Sequence, residues 1–473
     1  MPVNSEATAH PEAARLLAAQ RAAYRRDGAP SLEARRADLA NLRAAVVSNR
    51  RRIEAAIDSD FGHRSRIETS LTEMTGVLSG IDYLHKNLRR LMRPEKRHVA
   101  LQMRQGVARV EYQPLGVVGV MSPWNYPLIL ALMPLATAMA AGNRVMLKPS
   151  EFTPATNALL EEVLSALFPQ EQVAMINGDA EVGAAFSALP FDHLIFTGST
   201  AVGRKVMQAA SRNLVPVTLE LGGKSPVIIE KGHPMEHAAT GIAFGKLING
   251  GQTCIAPDYA LVHEDDLSAF LTSYDEAVKT AYPDGPASED YTWVFNDRHL
   301  SRLNGLLEDA ETKGATVRKV GHSAQSAPAR AMQPTVVLGV TDAMEIAAEE
   351  IFGPILPVFT YSSIEQAVAF VDARPRPLAL YYFGHDKAAQ RRVLDGTTSG
   401  NVTINGTLVH FAQDDLPFGG VGPSGMGAYH GIEGFRRFSH AKGIFEQGRW
   451  NGATLLRPPF GEMAARILSF LIR

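Results

Sequence analysis

The sequence predicts an α/β protein with two α/β regions and a small β element beside them. Three observations carry that reading. Beyond Leu115, short β-branched runs alternate with helices of about 10 to 15 residues, the rhythm of a parallel sheet covered on both faces. The rhythm resumes near Val227 and runs to about residue 409. Between the N-terminal helices and the first region, residues 98–113 switch to an alternating period.

Residues 11–93 are predicted helical, because apolar residues recur at helical spacing in Leu32, Leu39, Leu42, Val46, Ile53 and Ile57. Alternating apolar positions around Gln105-Gly106 predict a β-hairpin over 98–113. Residues 115–121 read as a buried strand, and a helix follows from about Pro127. A second strand covers 144–148, after which Thr153-Pro154 supply an N-cap and a first-turn proline for a helix to Leu167. Residues 173–176 and 193–196 are further short strands. Sheets of this kind bind ligands at the carboxyl ends of their strands. The second region carries strands at 227–229, 259–262, 317–320 and 335–338, helices at 267–280 and 299–313, and a surface loop at 323–330. The glycine-rich stretch 419–427 fits no regular helix or strand and reads as a tight loop or a place where backbones meet.

A chain of 473 residues suffices for two or three domains with a large core. Its 45% hydrophobic and 20% charged residues are those of an ordinary globular protein. Lys plus Arg (47) nearly balance Asp plus Glu (49), which argues against nucleic acid as a partner and against an acidic tail. One cysteine excludes an intrachain disulfide and fits a reducing cytosol, although a periplasmic chain poor in cysteine looks similar. The N-terminus lacks an apolar core of signal-peptide length, and no run reaches the roughly 18 to 20 apolar residues of a membrane span, so a cytoplasmic location is expected. The last 13 residues, GEMAARILSFLIR, are amphipathic. They suit a short helix packed on the body or on a partner subunit, with weak contact to a membrane surface as the alternative.

Five motifs are candidates for chemistry. Gly250-Gly251-Gln252-Thr253-Cys254 presents a thiol behind two glycines that let backbone approach a substrate. A thiolate attacks carbonyls well and its thioester hydrolyses, and a helix N-terminus or nearby donors are expected to raise the ionised fraction. By itself, a lone cysteine is as readily an inert buried residue. Glu220 sits between leucines ahead of a Gly-Gly turn, suited to desolvation, a raised pKa and general-base work, or else to the wet face of an edge strand. Asn125, in Ser-Pro-Trp-Asn-Tyr-Pro directly after a strand, offers an uncharged donor for an oxyanion, or is simply a turn residue. In Phe196-Thr-Gly-Ser-Thr-Ala-Val-Gly203 a strand runs into a helix whose N-terminus favours a phosphate, although only Gly198 and Gly203 match part of a dinucleotide fingerprint. Lys148 and Glu151 end another strand and are suited to ribose hydroxyls. In Glu349-Glu-Ile-Phe-Gly-Pro354, Glu350 is suited to a ribose and Phe352 to a ring; a helix-to-loop junction is the ordinary alternative.

In this order, PWNYP, KPSE, FTGST, ELGGKSP, GQTCIAPDY and EEIFGP resemble the aldehyde dehydrogenase superfamily over roughly residues 30–445. Each block alone is weak; their joint occurrence by chance is negligible. The resemblance implies a Rossmann-like NAD-binding domain (1–97 and 114–223), an α/β catalytic domain (224–409), a small β oligomerisation, or bridging, element (98–113 and 410–445) and a tail (446–473) with a short amphipathic helix. It implies Cys254 as nucleophile, Glu220 as base and Asn125 as oxyanion donor, and it puts Trp124, Lys148, Glu151, Gly198, Ser199, Gly203, Glu350 and Phe352 on cofactor-contact positions, with no metal. The implied reaction is oxidation of an aldehyde to its acid through a thiohemiacetal and a thioester on Cys254.

Cys254-Ile-Ala-Pro-Asp-Tyr259, the segment 416–431 and Arg457-Pro-Pro-Phe-Gly461 look like the class 3 branch of fatty, aromatic and coniferyl aldehyde dehydrogenases, most of all its bacterial coniferyl-aldehyde-type members, which implies an aromatic aldehyde such as coniferyl aldehyde, or a long-chain aliphatic one, as substrate. Asn405-Gly406 departs from the Asn-Asp of many relatives. NAD is the expected cofactor because Glu151 repels a 2′-phosphate; NADP stays open because class 3 members use both. A homodimer is expected. Two alternatives stand beside this reading: a CoA-acylating or acyl-reducing member, against which Glu220 argues, and a catalytically idle scaffold, against which the joint presence of Cys254, Glu220 and Asn125 argues.

Overall fold

Three sheets and the helices packed on them form the fold in the computed structural model, which describes residues 10–324, 326–449 and 455–472. The N-terminal helices Pro11–Asp27, Leu32–Ser48, Arg50–Phe61 and Thr75–Leu91 follow the apolar spacing. Leu39, Leu42, Val46, Ile53 and Ile57 all lie in the main core. Between the last two helices, a short turn Arg66–Thr69 runs into a π-helical turn Ser70–Met74. Such turns recur at functional sites.

The first sheet has the spatial order Gly425–Met426, Val217–Leu221, His193–Gly198, Val117–Met121, Arg144–Lys148, Val173–Met175. All its pairings are parallel except that of Gly425–Met426. From Val117–Met121 the chain builds outward on one side, then returns to place His193–Gly198 on the other. The carboxyl ends of these two strands therefore flank a topological switch point, where open α/β sheets bind ligands. The helix Ile129–Ala140 is buried along its whole length, Pro134 included, which explains its unbroken apolar sequence. The second sheet has the order Thr316–Lys319, Thr335–Leu338, Ile355–Tyr361, Tyr259–His263, Pro226–Ile229, Ala379–Phe383, Asn401–Ile404.

The third sheet corrects the predicted hairpin. Its strands are Glu95–Arg97, Val107–Pro114 and Ser439–Glu446, all antiparallel. The first strand ends before residue 98, and the connection contains a 3-10 turn at Leu101–Met103. Gly106 makes no two-residue turn; a Cβ there would lie 2.5 Å from a Phe445 ring carbon, so the glycine admits the neighbouring strand's side chain. Two further expectations change. Thr153 makes no capping bond to the helix Pro154–Leu167. The Asp60 carboxylate caps it instead, accepting from the Ala155 and Thr156 amides at 2.9 and 2.8 Å. The segment 419–427, predicted to hold no strand, contributes Gly425–Met426, and a Cβ on Gly425 would lie 2.1 Å from the Leu219 carbonyl oxygen. The meeting of backbones is thus real, and it includes a short ladder.

The C-terminal helix is Glu462–Leu471. Only its Ala464 is buried, while Phe460, Met463, Phe470 and Ile472 are exposed, so the expected packing on the body is not seen. Among the described residues, no helix is long and apolar enough to cross a membrane.

Candidate active site

A cavity of about 490 Å³ reaches Cys254, and Tyr126 and Thr253 line it as well. Cys254 follows the helix Met235–Leu247 through a turn at Ile248–Gly251. Asn249, Gly250 and Gly251 all have positive φ (54°, 59° and 76°), which explains the two glycines. A Cβ on Gly251 would lie 2.3 Å from the Gly353 carbonyl oxygen, so the Phe352-Gly353 loop seats directly on this turn. Gln252 staples it: Nε2 donates to the Asn249 and Trp293 carbonyls at 2.8 and 3.1 Å, and Oε1 accepts from the Phe295 amide at 2.8 Å.

Asn125 lies in the loop after Val117–Met121, buried beside that turn. Its Nδ2 donates to the Gln252 carbonyl at 3.0 Å. An amide carries two N–H groups, and this bond uses one of them. The Tyr126 hydroxyl pairs with Thr253 Oγ1 at 2.7 Å, a second tie between the two loops.

Glu220 is on Val217–Leu221, flanked by His193–Gly198 and Gly425–Met426, so it is not on an edge strand. It is buried, and neither carboxylate oxygen has a hydrogen-bond partner among the described residues. Burial pushes its pKa well above the usual carboxylate range, opposed by the Arg437 charge. The Cys254 thiol behaves differently from expectation. Burial pushes it up to about 12, and the Glu350 and Glu220 charges add to the rise, outweighing the Cys254 and Ile255 amides. The ionised fraction therefore falls rather than rises, because burial outweighs the two amide donors and the thiol's charged neighbours are carboxylates rather than cations.

Of the cofactor-contact candidates, Lys148, Gly198 and Ser199 lie at carboxyl ends of strands in the first sheet. Lys148 Nζ lies 3.2 Å from Glu151 Oε2. Ser199 caps the helix Thr200–Ser211 through the Val202 amide. Gly203 is buried on that helix, and a Cβ would meet Leu221 Cδ2 at 2.6 Å; it serves helix-to-strand packing. Gly198 faces the Phe196 ring in the same way, at 2.5 Å. Glu350 is seated against Gly222, where a Cβ would come within 2.0 Å of its Oε2. Its Oε1 is buried and unpartnered, and burial and the Asp258 charge push its pKa to about 8. Trp124 stacks on Phe295 with centroids 4.3 Å apart and meets Phe352 edge-on at 5.7 Å. Phe352 has a φ of 54°, and its carbonyl accepts from His299 Nε2 at 2.7 Å. The orphaned Glu350 oxygen, seated against Gly222, and the helix N-terminus at Ser199 fit a nicotinamide dinucleotide.

A family model described as "Aldehyde dehydrogenase family" matches residues 4–444. The chain belongs to the aldehyde dehydrogenase family. Among relatives of this aldehyde dehydrogenase, a Pseudomonas aeruginosa protein named "Probable coniferyl aldehyde dehydrogenase" is 52% identical over 96% of this chain and 94% of its own. "Coniferyl aldehyde dehydrogenase" from a Pseudomonas species is 45% identical over 95% of this chain and 94% of its own. Among solved structures, "Substrate bound state of Staphylococcus Aureus AldH" matches with a TM-score of 0.91 at 36% identity, covering 97% of this chain and 99% of that one. "Crystal structure of PnpE in complex with Nicotinamide adenine dinucleotide" matches with a TM-score of 0.83 at 26% identity, covering 92% and 90%.

The cavity wall was not legible as a motif. Thr72, Thr75, Gly76, Ser79, Gly80 and Tyr83 line it from the π turn and the helix Thr75–Leu91. Their spacing is one helical face, and a stripe of small residues where large apolar ones normally stand is the signal that marks it. His430 also lines the cavity. Both its ring nitrogens are buried without partners among the described residues, and burial lowers its pKa to about 3, so it is neutral in ordinary buffers.

Proposed function

We propose that this aldehyde dehydrogenase oxidises a phenolic aromatic aldehyde of the coniferyl type to its carboxylic acid, with Cys254 as nucleophile, Asn125 as oxyanion donor and Glu220 as base. The observation that carries the reading is a thiol lining an apolar cavity within electrostatic reach of the buried, unpartnered Glu220 carboxylate, with the Asn125 amide tied to the Gln252 carbonyl two residues before the thiol. The thiol gives its proton to solvent as sulfur attacks the aldehyde carbon, leaving the former carbonyl oxygen as an oxyanion. The second Asn125 N–H and the Cys254 amide stabilise the resulting oxyanion; such a donor is worth about 10²–10³ in rate. NAD(P), when bound, accepts the hydride. After that, Glu220 takes a proton from water, which attacks the thioester and releases the acid.

Names of relatives and the cavity wall support the aromatic substrate. Apolar side chains such as Ile129, Leu130 and Met133 offer faces to a ring, and Ser79 with its hydrogen-bonded partner Asp414 offers polar atoms to a phenol. NAD is the preferred nucleotide in this reading, through Glu151. Residues 1–97 and 114–223 are assigned to cofactor binding, 224–409 to catalysis, 98–113 and 410–445 to oligomerisation, and 446–473 to a tail. The protein is a cytoplasmic homodimer in the same reading, and the exposed face of Glu462–Leu471 offers contact to a partner subunit or, weakly, to a membrane surface. NADH formation at 340 nm with coniferyl aldehyde, benzaldehyde and fatty aldehydes, each with NAD⁺ and NADP⁺, tests it. The highest kcat/KM is expected for coniferyl aldehyde with NAD⁺. Exclusive use of fatty aldehydes, or dependence on CoA, contradicts it.

A further inference from the structure

The N-terminal helices carry a buried charge cluster that lies outside every motif of the reaction. The Arg64 side chain is fully buried, as is that of Glu73, and Glu68 is nearly so. Arg64 Nη1 donates to Glu73 Oε1 at 2.7 Å and to the Asn125 carbonyl at 3.3 Å. Nη2 donates to Thr72 Oγ1 at 3.2 Å, and Nε lies 3.5 Å from Glu68 Oε1. The guanidinium also sits between the Phe61 and Tyr126 rings, 4.9 and 4.8 Å from their centroids.

Each carboxylate reaches a different active-site segment. Glu68 Oε1 accepts from the Asn249 amide at 2.8 Å and from Thr292 Oγ1 at 3.1 Å, gripping the left-handed turn that leads to Cys254. Glu73 Oε2 accepts from the Leu128 and Ile129 amides at 2.7 and 3.1 Å, gripping the chain just beyond Asn125. Asn249 closes the circuit, its Nδ2 donating to the Asn125 carbonyl at 2.9 Å and to the Gln252 carbonyl at 3.1 Å. Buried ion networks are expensive to desolvate and are poor explanations of stability. What this one fixes is geometry, because both loops hang from one guanidinium and its two carboxylates.

We propose that Arg64, through Glu68 and Glu73, is a positioning residue that holds the Asn125 amide and the Cys254 turn in mutual register. This rests on the oxyanion role assigned to Asn125. With the Asn125 carbonyl held by Arg64 and Asn249, the side-chain amide on the same residue has a fixed origin. Lysine at position 64 keeps the charge but loses the planar fork, and a single ammonium does not span Glu73, Glu68 and the Asn125 carbonyl.

A double-mutant cycle on the full-length enzyme with NAD⁺ and aldehyde tests the proposal. Arg64→Lys is expected to lower kcat by about 10- to 100-fold, the scale of a misplaced reacting group, with the KM for NAD⁺ unchanged. Asn125→Ala is expected to lower kcat by about 10²–10³. The double variant is expected to be no slower than Asn125→Ala alone, since groups acting as a unit are non-additive. A purely structural role instead gives losses that multiply and a KM for NAD⁺ that rises with the fall in kcat; either overturns the proposal. Should Arg64→Lys not fold, Thr72→Val enters the same cycle, removing the hydroxyl that accepts from Nη2 and donates to the Glu68 carbonyl, and the same rule decides. Asn125→Ala at wild-type kcat overturns the oxyanion reading itself and this proposal with it. An impaired Asn125→Ala with multiplying losses overturns only the role of Arg64.

Discussion

Cys254 sits under two opposing demands. Attack on a carbonyl needs a thiolate, yet burial beside Glu350 and Glu220 holds the thiol protonated, with a pKa near 12. A raised pKa means the anion grows only as pH rises toward that value. Iodoacetamide alkylation of Cys254 in the cofactor-free protein is therefore expected to accelerate about tenfold per pH unit between pH 7 and 9 without levelling. A plateau near pH 7, measured by mass spectrometry of the Cys254 peptide, contradicts this. Cys254, Glu220 and Asn125 stood out as candidates because each residue type matches its chemistry and a glycine or proline turn flanks it, while their roles came from the resemblance to the family. Arg64, Glu68 and Glu73 were not. They lie far upstream in ordinary helical sequence, and an arginine between glutamates reads as a solvated helix face until folding buries it.

At the scale of elements, the helix Thr75–Leu91 decides how much room a substrate has. Gly76 and Gly80 are one turn apart, and Cβ atoms there would lie 2.4 Å from Ile129 Cδ1 and 2.2 Å from Met133 Cε. Both partners line the cavity. The end of a methionine side chain moves cheaply, so Gly80→Ala is expected to fold and to turn Met133 into the cavity. The expected outcome is a KM for coniferyl aldehyde raised about tenfold with that for acetaldehyde little changed, since a lost or gained methyl is worth about 1–3 kcal/mol in an apolar pocket. Equal effects on both substrates contradict this assignment of the wall. Most strands of the first sheet were legible from β-branched runs between turn residues. Ile355–Tyr361 and Ala379–Phe383 were not resolved individually. Pro357 interrupts the first pattern, and the second is an unbroken apolar run that periodicity alone assigns to neither strand nor helix. The ladder at Gly425 was hidden because its pairing partner, Glu220, is about two hundred residues away, a long-range contact that local propensity does not encode.

At the scale of the whole molecule, the two large sheets and the N-terminal helices bring distant segments to one cavity, and the third sheet stands apart from that task. Its outer strand Ser439–Glu446 is mostly exposed, and its ladder is satisfied on one side only, by Val107–Pro114. An open edge of this kind calls for a partner chain. Sedimentation equilibrium is expected to give the mass of a dimer of the 51.2 kDa chain, and a monomer at micromolar concentration contradicts that. The architecture as a whole was legible in the order of motifs, while the occupant of the exposed C-terminal helix was not, because amphipathicity does not distinguish a protein face from a lipid one. In the proposed reaction the aldehyde becomes an acyl group on Cys254, and Glu220 activates the water that removes it. Mass spectrometry of the Glu220→Gln protein after mixing with coniferyl aldehyde and NAD⁺ tests this most directly. An acyl adduct on the Cys254 peptide is expected, with one burst of NADH and slow turnover after it; wild-type turnover with no adduct, or NADH formation by Cys254→Ala, contradicts this reaction.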